Sequence, residues 1–128
     1  VPEYDTLEEG AAYDLVINTD VLEHIPEDDI PDVIAHMRSL APNALINVDL
    51  SESEQILPDG SNAHCTIKPA AWWRQQIEAH FGPVYPVAVS RPTKAMFKSW
   101  PSSVVRWPLR QAEFLKITFD RKLRKRYR

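Results

Sequence analysis

A single cysteine, Cys65, in 128 residues rules out an internal disulfide. The fold must therefore be held by its apolar core, and a reducing, cytoplasmic setting is the expected compartment. A lone cysteine of this kind reads as a small buried apolar residue. Glycine is nearly as scarce. Gly10, Gly60 and Gly82 stand far apart, so no G-x-G-x-x-G or related phosphate-cradling loop can be assembled. No apolar run approaches the ~20 residues of a membrane span, and the first residues carry no apolar signal-peptide segment. Neither H-x-x-x-H nor C-x-x-C spacing is present, and no nucleophile-elbow pattern of glycines surrounds a serine. Those absences argue against a metal centre and against a Ser-His-Asp hydrolase.

What is there describes an ordinary water-soluble chain of one-domain length, 44% hydrophobic and 26% charged, with a net charge of −3. The charge is unevenly spread. Residues 101–128 hold nine Lys or Arg against Glu113 and Asp120, whereas the first hundred residues hold six against sixteen acidic groups. Ala112, Leu115, Phe119 and Leu123 recur at helical spacing within this tail, so a basic C-terminal helix is expected over 101–128. Its last eight residues, Arg121 to Arg128, carry six cations. Such a run is most often a solvated face, and its sharper reading is weak polyanion binding.

The rest of the chain is organised around Tyr13 to Ile25. The run from Tyr13 to Ile17 is rich in β-favouring residues and interrupted only by Asp14. It then turns polar at Asn18-Thr19-Asp20, and this reads as a buried strand of a parallel sheet. Pro26 and the acidic Glu27, Asp28 and Asp29 suit a helix start. Ile30, Val33, Ile34, Met37 and Leu40 then recur at helical spacing, and Pro42 closes the helix. Ala44 to Val48 is a second buried strand, which completes a β-α-β unit. The long polar stretch from Ser51 to Thr66, with its Pro58-Asp59-Gly60 turn, leaves the carboxyl end of that strand. It is expected to overhang a ligand site, since open α/β sheets bind ligands at those ends. A second helix is expected over Pro69 to Phe81, stopped by Gly82-Pro83. Two further β-favouring runs, Val84–Ser90 and Thr93–Trp100, follow.

Tyr13-Asp14-Leu15-Val16-Ile17 leading into Asp20-Val21-Leu22-Glu23-His24-Ile25 resembles the fourth-strand motif of class I S-adenosylmethionine-dependent methyltransferases. The segment Asn62 to Trp73, with His64, Thr66, Pro69, Trp72 and Trp73, is similar to the entry of that family's fifth helix. The likeness extends to about residue 90. It implies the C-terminal part of a Rossmann-like seven-stranded sheet, with residues 1–100 as a partial methyltransferase domain equivalent to strands 4 to 7. The last two runs would be the sheet's terminal antiparallel pair. Because the family's glycine-rich loop has no counterpart here, the chain is expected to be a fragment of a cytoplasmic transferase. By itself it is expected to bind S-adenosylmethionine poorly.

The resemblance assigns the cofactor's methionine end to Asn18, Thr19, Asp20 and Val21. His64 on the overhanging loop and His24 are the candidate catalytic bases, an imidazole titrating near neutral pH. Asp49 and Trp72 are assigned to the methyl acceptor, one tryptophan of the Trp72-Trp73 pair facing the pocket and the other the core. The local alternatives are an N-cap or turn role for Asp20 and hydrogen bonds that fix a turn or loop for Glu23, His24 and His64. His36 and His80 read as surface residues. Asp20, Glu23, His24 and Asp49 could converge, but without ligand spacing no metal is expected. The implied activity is methyl transfer to an unidentified oxygen or nitrogen acceptor. The competing reading is a non-catalytic binding module whose basic tail engages nucleic acid or an acidic partner.

Overall fold

The computed structural model describes residues 13–101; the expected basic helix of the tail lies outside them. Two strands, β1 (Leu15–Thr19) and β2 (Asn43–Asp49), run parallel, with Val16 opposite Ala44 and Asn18 opposite Ile46. The helix α1 (Ile30–Leu40) crosses between them, which is the β-α-β unit expected from the sequence. A second helix, α2 (Ala70–Phe81), precedes an antiparallel pair, β3 (Tyr85–Val87) and β4 (Lys94–Lys98). β4 inserts between β2 and β3, so the sheet order is β1-β2-β4-β3. Because β4 is antiparallel to both neighbours, β3 runs in the same direction as β1 and β2.

The local sequence explains each boundary. Pro31 sits in the first turn of α1, where its missing N–H is not needed. Pro69 precedes α2 in extended conformation, and Gly82 ends that helix at φ 71°, ψ −158°, a region essentially restricted to glycine. The apolar stripe of α1 buries Ile30, Ile34 and Met37 against Ala44, Ile46 and Val48 of β2 and Phe97 of β4. From α2, Trp73 and Ile77 close the same core, and α1 and α2 pack on each other. Full burial of each such large side chain contributes on the order of 1.5–3 kcal/mol.

β1 departs from expectation. Instead of being buried on both faces it is the sheet's edge among the described residues, with Leu15 39% and Ile17 61% exposed. The pleat supplies the reason. Val16 shares the face of Ala44, against the helices, while Leu15 and Ile17 alternate to the other face, over which neither α1 nor α2 lies. Cys65 also departs, being exposed rather than buried. Here the chain turns its neighbour Thr66 inward, with the Thr66 hydroxyl bonded to the Ile25 carbonyl, and leaves Cys65 facing out. Among the described residues no helix is long and apolar enough to cross a membrane.

Candidate active site

The carboxyl ends of β1 and β2 are tied into one cluster. Just past β1 stands Asp20, whose φ of 57° lies in the left-handed region that aspartate tolerates better than most residues. The Asp20 amide donates to the Asn47 carbonyl at 2.9 Å, and the Asn47 side chain donates back to the Asp20 carboxylate at 3.2 Å. Lys94, at the start of β4, pairs with Asp20 and lies 3.6 Å from the Asp49 carboxylate. One ammonium thus bridges the acidic ends of both parallel strands. Burial pushes the Asp49 carboxyl up. The Ser51 hydroxyl and amide bonds, helped by the Lys94 and His64 charges, outweigh it and leave Asp49 below the usual aspartate range.

Beyond Asp20 the chain makes one tight helical turn, Leu22–His24, which buries Leu22 and Glu23 completely. One Glu23 oxygen, Oε1, accepts the Asp49 amide at 3.1 Å. Its other oxygen, Oε2, is buried with no hydrogen-bond partner among the described residues. Desolvation raises the Glu23 carboxyl above its ordinary value, more than the Glu23 and Asp49 amides lower it. An unpaired buried acceptor costs about 1–3 kcal/mol, so the carboxyl is held here against its solvation preference.

The long loop returns over this turn, as its position after β2 led us to expect. The Thr66 amide donates to the Glu23 carbonyl at 3.1 Å, and the Thr66 hydroxyl to the Ile25 carbonyl at 2.7 Å. Asn62 braces the loop from within, bonding Ser53 and the His64 amide. These contacts bring His64 edge-on to His24, with ring centroids 4.7 Å apart. His24 Nδ1 lies 2.8 Å from the Ala63 carbonyl, and His64 Nδ1 lies 2.6 Å from the Ser51 carbonyl. A carbonyl can only accept, so both Nδ1 atoms carry hydrogen. In the neutral rings the free lone pair is on Nε2.

Of the residues singled out in the sequence, Asp20, His24, Asp49 and His64 are therefore brought together. Asn18 is half-buried at the end of β1, and its Oδ1 has no partner among the described residues. Thr19 and Val21 are exposed beside it. The two tryptophans divide as anticipated in one respect: Trp73 is fully buried in the core. Trp72 is half-buried at the edge of that core, with the Lys68 ammonium 5.4 Å above its ring, and its described partners are Lys68 and Trp73 rather than the acidic cluster. His36 is exposed and His80 half-buried. Sequence reading missed Lys94 and Asn47, since nothing local to either announces a partner on another strand.

No protein-family model matches the chain, and no curated protein matches it. Among solved structures, an O-methyltransferase family protein from Burkholderia thailandensis is similar, with a TM-score of 0.55 at 18% identity over 75% of this chain. The match covers 32% of that protein, so this chain spans about a third of its length. The fold is thus methyltransferase-like: among the described residues, a mixed four-stranded sheet with two α-helices packed on it.

Proposed function

We propose that this chain contributes the acceptor side, and the part of the donor site that holds the methionine end, of a class I methyltransferase that moves a methyl group from S-adenosylmethionine to an oxygen or nitrogen nucleophile. The observation that carries the reading is the convergence of the Asp20–Ile25 turn, the Asp49 strand end and His64 at the carboxyl ends of the parallel strands of a methyltransferase-like sheet. This is where open α/β folds place their ligands.

The residues at the end of β1 fit such a donor. Asn18 Oδ1 is buried without a partner among the described residues, and a small turn of the side chain would offer it to the ammonium of the methionine end. Val21, just past the strand, leaves apolar surface open nearby. Asp20 has its carboxylate engaged by Lys94 and Asn47, so its part is to set the bend that presents this surface. When bound, S-adenosylmethionine supplies an activated methyl group, and much of the rate then comes from aligning donor and acceptor. On the acceptor side, His24 and His64 hold their Nε2 lone pairs ready to stabilise or accept the proton of a bound hydroxyl or amine. Their backbone bonds fix both ring orientations.

The test is release of S-adenosylhomocysteine by the protein expressed from its full reading frame, with panels of hydroxyl and amine acceptors. His64→Ala is expected to lower turnover by about 10²–10⁴-fold while binding of the methyl donor barely changes. A loss of only a few-fold would return His64 to the role of anchoring the loop.

A second reading rests on the tail: six cations between Arg121 and Arg128 suit a module that engages phosphates. It concerns a separate segment and is compatible with the first.

A further inference from the structure

A single general base needs one imidazole, and this site has two, with a buried carboxylate beside them. The donor atoms of Glu23, His24 and His64 lie within 4.8 Å of one another. We infer that these three side chains form a binding site for one divalent first-row transition cation, with Zn²⁺ and Mn²⁺ as the representative occupants.

Three independent features of the geometry point the same way. The imidazoles each donate Nδ1–H to a backbone carbonyl, of Ala63 and of Ser51. That is the outer-shell arrangement which orients a histidine ligand and leaves Nε2 for the cation. Glu23 shows the same division of labour: Oε1 is fixed by the Asp49 amide, and Oε2 is fully buried with no hydrogen-bond partner among the described residues. A cation supplies the partner this oxygen lacks. Finally, the spacing is close to what coordination requires. Bonds of roughly 2.0–2.2 Å put two ligands on one cation no more than about 4 Å apart. Modest side-chain rotations would bring one donor atom of each residue within that distance.

The chemistry of the donors selects the occupant. Two nitrogens and one oxygen, with no thiolate, suit borderline divalent cations rather than Ca²⁺, which takes six to eight oxygens. Three protein ligands leave at least one position open, the mark of a cation that also meets a substrate atom. By sequence, Glu23 and His24 group with Asp20 and Asp49 as residues that could converge, but His64, which arrives from a distant loop, falls outside that group. No helical or finger-type spacing connects them.

The site itself does not depend on methyl transfer. Its use rests on the function proposed above: with the cation bound the two Nε2 lone pairs serve as ligands in place of bases, the cation holds the acceptor hydroxyl and favours its deprotonated form, and the proton passes to solvent.

Titration of the 128-residue chain with Co²⁺, followed by visible absorption, tests the site. The expected result is saturation at one equivalent and displacement by Zn²⁺. Binding should weaken by at least about tenfold in Glu23→Gln, in His24→Gln and in His64→Ala, a scale that even outer-shell changes reach. His36→Ala, on the exposed side of α1, should bind like the parent chain. Far-UV circular dichroism identifies any variant that has unfolded, and the parent stoichiometry and the remaining variants then decide. Absence of saturable binding by the parent, or unchanged affinity in the folded variants, would overturn the site. Cobalt binding with no methyl transfer by the full-reading-frame protein would refute the proposed function alone. Transfer that survives complete chelation would refute the cation's part in it.

Discussion

The Glu23 carboxylate reaches from the turn after β1 to accept the backbone amide of Asp49 at the end of β2, at 3.1 Å. This bond clasps the two parallel strands where the sheet opens. Replacing Glu23 with Ala leaves that amide unpaired and empties a fully buried position, and should destabilise the chain by about 2–4 kcal/mol. Glu23→Gln retains an acceptor and removes a group whose ionised form is penalised by burial, so its cost should stay within about 1 kcal/mol. Urea unfolding of the two variants separates them; equal losses would mean that the bond does not hold the strand ends.

At the far end of α2, Gly82 takes φ 71° and ψ −158° with open space where a Cβ would stand. Any cost of Gly82→Ala is therefore backbone strain rather than collision, and about 1–3 kcal/mol is expected. Asparagine, which eases the ordinary left-handed helical region, should give no rescue here. A neutral Gly82→Ala in denaturant titration would contradict this reading of the cap.

Glu78 anchors the same corner. Its Oε1 accepts from Arg74 Nε at 2.9 Å and from the Val84 amide at 3.2 Å. The Arg74 bond first, and the Val84 amide after it, hold the carboxyl below its ordinary 4.5. The folded state therefore binds this proton more weakly than the unfolded chain does. The resulting stability is present above about 4.5 and is lost as pH falls through the depressed folded value. Urea midpoints measured from neutral pH down to about 3 should fall less steeply in Glu78→Gln than in the parent. Parallel curves would show that the Arg74–Glu78–Val84 contact carries no acid sensitivity.

The tail yields a prediction from charge alone. With six cations in its last eight residues, the chain should bind labelled RNA weakly at low salt. Counterion release should then make that binding fall steeply toward physiological salt. Fluorescence anisotropy with RNA, and in parallel with anionic vesicles, distinguishes the ligands. No binding to either at low salt would leave the cluster a solvated end.

The parts legible in the sequence are those set by short-range periodicity. The stripe from Ile30 to Leu40 announces α1 because its spacing can only bury one face of a helix, and Gly82-Pro83 announces the end of α2. The strand ends could be placed because β-favouring runs stop at Asp20 and Asp49. The rest depends on what lies beside each element. Ile17 reads as buried by composition, yet the side it faces is covered by neither helix. Cys65 reads as core by residue type, yet its position between Ala63 and Thr66 turns it outward. The contact of His24 with His64 depends on the path of a long loop, fixed by Thr66 and Asn62 through bonds that no local pattern encodes. Lys94 was invisible for the same reason, its partners lying on two other strands.

The central claim, that the end of β1 receives S-adenosylmethionine, is tested most directly by isothermal titration of the protein expressed from its full reading frame. The account predicts micromolar binding, weakened by about 10–100-fold in Asn18→Leu through loss of one acceptor for a charged donor, and nearly unchanged in His64→Ala. No heat of binding, or an affinity indifferent to Asn18→Leu, would contradict it.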